Sequence, residues 1–188
     1  APTAPHHPPG AYPGTCRSLT RSEIEAKHAS GRTPALRLRA EVSALTIEDE
    51  LHGAFAGGVD DMVLRRADGV HAYNLAVVID DHDIGVDQVV RGDDLLASTP
   101  RQAYLYDVLG HPRPSYVHVP LVLNAQGQRL AKRDGPVTMR DLGLPAHLVL
   151  AMLGASLGLC ADDEQVDVEV LLDRFDPNAI PQEPWVFG

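Results

Sequence analysis

The succession of apolar segments between Tyr73 and Leu123 constrains the fold most. Tyr73-Asn74-Leu75-Ala76-Val77-Val78-Ile79-Asp80-Asp81 is an apolar run whose periodicity fits a strand as well as a helix. Read as a helix, it puts Tyr73 and Val77 on one face at i, i+4. Val86 to Arg91 reads as a short strand ending in a charge. Ser98-Thr99-Pro100 opens a helix, with a hydroxyl cap and a proline in the first turn, and Gly110 supplies its stop. Tyr116 to Leu123 reads as one buried strand. With the first run as a helix, the order helix, strand, helix, strand is half of a doubly wound α/β sheet. Such a half lacks a first strand with its phosphate-binding turn and leaves sheet surface uncovered, so an upstream complement is expected.

The flanking segments carry weaker signals. Residues 1–16 read as a loop rich in Pro, Gly and His. Ser22 to Ala29 reads as a short helix, with Thr20 as cap and Glu23 three residues later in a capping-box spacing. Residues 34–42 alternate, Leu36 and Leu38 against Arg37 and Arg39, as a half-buried strand does. Residues 45–60, acidic and then Gly-rich, read as irregular. Met62 to Arg66 is a second strand candidate, closed by an Ala67-Asp68-Gly69 turn. Thr138 to Leu142 reads as a short helix, Pro145 to Leu159 as a longer apolar one holding Cys160 at its end, and Val168 to Phe175 as the last. The tail from Pro177 is Pro-rich and carries Trp185.

Composition narrows the function classes. Of 188 residues, 44% are hydrophobic and 22% charged, which suits a folded chain. No apolar run reaches 18 residues, so no membrane partner is expected. The start has neither an apolar core nor a basic flank, unlike a signal peptide. Two cysteines far apart, Cys16 and Cys160, argue against a disulfide framework and for a reducing, cytoplasmic setting. The net charge of -10 argues against a general nucleic-acid coat, because phosphate affinity comes from Lys and Arg. Contact with nucleic acid would need a local patch: Arg37-Arg39, Arg65-Arg66 or Arg129-Lys132-Arg133, each of which is also readable as a solvated face. The last patch lies in Gln128-Arg129-Leu130-Ala131-Lys132-Arg133-Asp134-Gly135, after a turn at Asn124-Ala125-Gln126-Gly127. Cations gathered in a loop behind a strand suit a polyphosphate; a solvated basic turn is the plainer alternative.

Set in order, these segments resemble the glutamyl-tRNA synthetase family of class I aminoacyl-tRNA synthetases. They are Tyr12-Pro13-Gly14-Thr15-Cys16-Arg17, Asp68 to Tyr73, Leu75 to Asp81, Val89-Val90-Arg91-Gly92, Ser98 to Gln102, His118-Val119-Pro120-Leu121 and Arg129 to Gly135. Within the family they are most similar to the short paralogues, the glutamyl-queuosine tRNA(Asp) synthetases. Val77 stands where glutamyl-tRNA synthetases carry Asn, and the ending from Phe175 to Trp185 also resembles the paralogues. The resemblance implies an α/β chain holding the second half of a class I Rossmann-like nucleotide-binding fold. It implies the end of a zinc-bearing insertion at 1–70, the half-fold at 71–123, and a basic loop with a helical end at 124–188. The HIGH motif and a Cys-x-Cys pair, which the family keeps in its first half, are not in this sequence. The missing half of the same enzyme is therefore an expected partner, and the 188 residues alone are expected not to catalyse. No anticodon-binding domain is expected after Gly188.

The resemblance also implies roles. The loop Arg129, Leu130, Ala131, Lys132, Arg133 resembles the KMSKS signature, with Lys132 as the catalytic lysine that meets the phosphates of ATP. Arg129 replaces the pattern's first lysine and keeps its charge; Ala131 replaces its serine and loses a hydroxyl. Tyr73 and Arg91 correspond to glutamate-binding positions. Their plainer alternatives are a core aromatic and an ion pair with Asp93 or Asp94. Tyr12 and Cys16 correspond to half of a zinc site, short of the four ligands a structural zinc takes; His6 and His7 are weaker candidates. Asp80 and Asp81 read as anchoring groups and Cys160 as a small buried hydrophobe. The implied activity is activation of L-glutamate by ATP with magnesium, then transfer to queuosine in tRNA(Asp). Alternatives are a truncated discriminating enzyme charging tRNA(Glu) and a non-catalytic synthetase-like binding module.

Overall fold

The computed structural model describes residues 11–31, 33–130 and 143–187. Two compact units divide the chain, 1–118 and 119–188.

The first unit is an α/β arrangement around a four-stranded sheet. Its elements are α1 (Arg21–Ala29), β1 (Leu36–Arg37), β2 (Ala44–Asp49), β3 (Gly53–Gly58), β4 (Val63–Arg65), α2 (Tyr73–Asp83), β5 (Gln88–Gly92), a 3-10 turn (Asp93–Ser98), α3 (Thr99–Leu109) and β6 (Ser115–Val119). The sheet order is β3-β2-β6-β5. β2 and β3 form an unbroken antiparallel hairpin, from Ala44 opposite Gly58 to Asp49 opposite Gly53. β2 and β6 run parallel, with Asp49 opposite Tyr116.

That hairpin corrects the irregular reading of 45–60. Leu45, Ile47 and Asp49 share the inward side of β2, while Thr46 and Glu48 are exposed. The period is 2, but a carboxylate occupies an inward position and glycines thin out β3, both of which lower strand propensity. Gly57 has a packing reason: a Cβ there would stand 2.7 Å from Pro100 Cγ and 3.1 Å from Phe55 Cε1. Close approach of β3 to the first turn of α3 thus needs the missing side chain.

α2 resolves the ambiguous run as a helix, and Val78 is its buried anchor. α3 is the central helix: Thr99, Pro100 and every residue from Gln102 to Tyr106 are buried. Ala103 packs with Ile47 and Tyr116, whereas Tyr104, Leu105 and Tyr106 join Ala40, Val59, Met62 and Val78 in a second cluster. Gly110 ends α3 at φ 74, the left-handed conformation that glycine adopts without penalty. Ser98 does not cap it: its backbone is already helical as the end of the 3-10 turn, and its side chain makes no cap bond. At α1, Thr20 and Glu23 form both arms of the expected capping box.

Two strand expectations are shortened. The strand at 34–42 is only β1, paired with β4 through an irregular register between Leu36 and Arg37. The irregularity ends the alternation, so Leu36 is exposed while Leu38 packs on the core. The strand at 116–123 is cut at Pro120, which has no N–H to give a ladder. Beyond it, β7 (Val122–Leu123) belongs to the second unit and pairs in parallel with β8 (Trp185–Val186).

The second unit also holds α4 (Ala146–Ser156) and α5 (Val168–Arg174). α4 stops short of Leu159, and Gly158 turns the chain at φ 72. Cys160 therefore lies outside the helix, half-buried, its thiol donating to the Ala151 carbonyl at 3.3 Å. The short helix expected at 138–142 lies outside the described residues.

Gly57→Ala should push β3 off α3 and destabilise the protein by about 1–3 kcal/mol, the usual penalty of overpacking a rigid contact. Denaturant unfolding of wild type and variant measures it, and an unchanged midpoint would contradict this packing.

Candidate functional site

β5, α3, β6 and the end of β2 converge on Arg91. Arg91 sits half-buried near the end of β5. Its Nε–H donates to His118 Nε2 at 3.1 Å, and its Nη2 donates to Thr99 Oγ1 at 2.7 Å. Thr99 is wholly buried at the first position of α3, with its hydroxyl 2.9 Å from the same His118 nitrogen. His118, on β6, is also wholly buried, and its Nδ1 lies 2.6 Å from Asp49 Oδ2. Asp49 closes β2 at 3% exposure. Its Oδ1 accepts backbone N–H groups of Leu51 and His52, and its Oδ2 accepts the backbone N–H of His118.

These partners define the protonation states. Burial pushes the Asp49 carboxyl upward, but hydrogen bonds from His118, His52 and Leu51 outweigh it and hold the group below its usual range. Burial drives the His118 imidazole below its usual value, against the opposing pull of Asp49. A neutral His118 beside an ionised Asp49 carries its proton on Nδ1. Its Nε2 lone pair then faces the Arg91 donor. Burial also lowers the Arg91 guanidinium, with Tyr116, Tyr73, Asp81 and Asp94 acting in the opposite direction.

Of the two expected glutamate-binding residues, Arg91 lies at this junction, and Tyr73 acts on it electrostatically. Tyr73 opens α2 with 68% of its surface exposed, so it is no core aromatic. Val77, one turn on, packs against the core. Tyr106 and Tyr116 bury hydroxyls that have no hydrogen-bond partner among the described residues, and burial raises both phenols.

Asn124 holds the expected turn, its side chain accepting from the backbone of Gln126 and Gln128. Arg129 bridges to Leu123, and the Leu130 N–H donates to the Val122 carbonyl at 2.9 Å. Ala131, Lys132 and Arg133 lie outside the described residues. Tyr12 and Cys16 are adjacent: the Cys16 backbone N–H donates to Tyr12 Oη at 2.6 Å. A side-chain hydrogen bond with Cys16, then burial, raises the Tyr12 phenol, and Arg37 stacks 3.7 Å over its ring. Among the described residues no group of three or more His, Cys, Asp or Glu could hold a metal ion. Tyr12 and Cys16 are two donors where structural zinc takes four, so the described residues do not make a zinc site; His6 and His7 lie outside them.

Sequence reasoning missed Asp49 and Thr99 as site residues and gave His118 no role. The signal at Asp49 was its place in the Leu45, Ile47, Asp49 alternation, a carboxylate at an inward position.

Comparison with known proteins adds the family. The model of tRNA synthetases class I (E and Q), catalytic domain, matches residues 4–187. The glutamyl-Q tRNA(Asp) synthetase of Nocardia farcinica is 59% identical over 189 residues, covering 99% of this chain and 60% of that protein. Its namesake from Symbiobacterium thermophilum is 46% identical, covering 93% and 56%. The crystal structure of a glutamate-tRNA synthetase from Elizabethkingia anophelis superposes with a TM-score of 0.73 at 26% identity, covering 95% of this chain and 42% of that one. The chain thus spans about 60% of the length of the first of these relatives.

Two buried groups at this site make stability depend on acid pH. His118 has a folded pKa below its unfolded value of about 6.5, so the unfolded state takes up the proton first. Stability from this group is complete at about pH 7.5 and declines as pH falls below about 6.5. Asp49, with a depressed folded pKa, adds a second loss only below about pH 4. NMR titration of the His118 ring should find it below the ordinary imidazole value; a raised value would refute the neutral assignment.

Proposed function

Because this chain belongs to the class I tRNA synthetase (E and Q) catalytic-domain family, we propose that the whole protein activates glutamate and transfers it to the queuosine base of tRNA(Asp). Magnesium-ATP is the co-substrate. A glutamate carboxylate oxygen attacks the α-phosphorus, and the bond to the departing pyrophosphate breaks. A nucleophile on queuosine then takes the glutamyl group and releases AMP. The divisions 1–70, 71–123 and 124–188 remain our assignment of insertion end, half-fold and loop with helical end.

The observation that carries the reading is Arg91. Its guanidinium is pinned through Nε and Nη2, the exposed Tyr73 phenol acts on it electrostatically, and among the described residues Nη1 donates to no protein acceptor. A fixed planar fork with free N–H groups suits a carboxylate ligand. Tyr73 would hold the amino-acid end. Lys132 would meet the ATP phosphates, where charge builds up in adenylate formation. Arg129 and Arg133 would add charge to that loop, and Leu130 and Ala131 complete it. Zinc at Tyr12 and Cys16 would need donors beyond the described residues, and no step depends on it. We place the protein in the cytoplasm; among the described residues no helix is long and apolar enough to cross a membrane.

In the full-length protein, Lys132→Ala should slow glutamate-dependent ATP–pyrophosphate exchange by about 100–1,000-fold. Arg91→Lys should raise the glutamate KM by about tenfold or more with little change in the ATP KM. Radiolabelled glutamate should pass to queuosine-containing tRNA(Asp). Transfer to tRNA(Glu) instead would establish the discriminating glutamyl-tRNA synthetase reading, and no exchange at all would establish the binding-module reading.

A further inference from the structure

We propose that Asp49 and His118 are positioning residues for Arg91, the carboxylate fixing the imidazole in one tautomer so that its other nitrogen aims the guanidinium. The inference rests on the reading of Arg91 as the glutamate-binding residue and goes beyond it in naming what sets that residue's aim.

The geometry carries it. Asp49 meets only donors: backbone N–H groups of Leu51, His52 and His118, and His118 Nδ1. A carboxylate cannot give a proton in return, so the Nδ1 position must hold one. Nε2 is then an acceptor at 3.1 Å from Arg91 Nε and 2.9 Å from Thr99 Oγ1. Thr99 takes the second guanidinium donor and is itself 3.3 Å from the Leu95 carbonyl, which can accept its proton. Two of the five guanidinium N–H groups are thereby fixed, which sets the plane of the fork. His118 is not swinging to make these bonds: the ring is wholly buried, and His52 Nε2 contacts its backbone carbonyl at 3.0 Å.

Tautomer control gives a sharp substitution. Asp49→Asn keeps the shape but puts an amide where four donors meet. An amide NH₂ facing Nδ1 forces the proton to Nε2, where it opposes the Arg91 Nε–H. A wrong tautomer leaves the atoms in place while removing the interaction. Misaligning a substrate-gripping group by as little as 1 Å can cost up to about 100-fold.

The test uses the full-length protein. Two-dimensional ¹⁵N spectra of the histidine rings should show wild-type His118 as the Nδ1–H tautomer, and Asp49→Asn as Nε2–H. Asp49→Asn should raise the glutamate KM by about tenfold or more, with kcat and the ATP KM within about threefold. Combining it with Arg91→Lys should add little, because both act on one grip. A general folding defect would lower kcat or change both KM values together. The proposal is overturned if wild-type His118 is the Nε2–H tautomer or an imidazolium. It is also overturned if Asp49→Asn leaves the glutamate KM unchanged while Arg91→Lys raises it. If Arg91→Lys itself leaves that KM unchanged, the glutamate assignment fails, and the Arg91 Nε–H resonance judges the relay alone: Asp49→Asn should move it. Should Asp49→Asn fail to fold, the wild-type tautomer and Thr99→Val decide, the latter expected to raise the glutamate KM severalfold.

Discussion

Asp49 accepts four N–H groups while nearly excluded from water, and the first unit is organised around that carboxylate. An ionised carboxylate costs several kcal/mol to bury, and only charge-assisted bonds to most of its lone pairs offset that. Two of the bonds close the tight turn between β2 and β3. The other two reach a strand 69 residues away and set β2 beside β6 at the Asp49–Tyr116 register. One side chain therefore closes the hairpin, aligns the parallel pair and fixes the His118 ring. Without it, the two buried donors of His118 would be orphaned, each at about 1–3 kcal/mol, and the turn would lose its two part-buried bonds from Leu51 and His52.

Several arginines of this acidic chain are held in contact ion pairs. Arg17 pairs with Asp61, Arg66 with Asp68, Arg101 with Asp60, Arg113 with Asp107 and Arg174 with Glu164. Those contacts neutralise the cation and hold structure. In the Arg101–Asp60 pair the atoms lie 2.8 Å apart, yet neither forms a directed hydrogen bond, so the attraction there is Coulombic rather than directional. Arg91 differs from these: its hydrogen bonds go to an imidazole nitrogen and a hydroxyl.

This division explains what the sequence disclosed. The long periodic features were legible from residues alone: the capping box at Thr20, the proline start and glycine stop of α3, and the apolar helix α4. Tyr73 and Arg91 were singled out through ordered motifs, where periodicity is mute. The type of α2 was not, since its faces are almost all half-buried and Val78 alone is fully buried. Asp49 was hidden for a deeper reason. Binary patterning treats an inward acid as a fault, and here it is the anchor of a site. His118 stood in a quoted motif, but nothing local says that an imidazole is buried against a carboxylate 69 residues away.

A net charge of -10 repels the anions that the proposed reaction requires. Attraction must come from a cation whose charge is not already spent in a contact ion pair. Bonding Arg91 directly to Asp49 would orient it as well, but the carboxylate would then compete with the ligand's own. Inserting a neutral imidazole separates the two tasks. Asp49 imposes direction through the ring while its charge stays one ring-width from the guanidinium. Asp81 and Asp94 act on Arg91 electrostatically and favour its charged form, against the burial that disfavours it. A guanidinium kept charged and aimed in this way, with Nη1 turned to a carboxylate, would suit the proposed selection of an acidic amino acid over its amide.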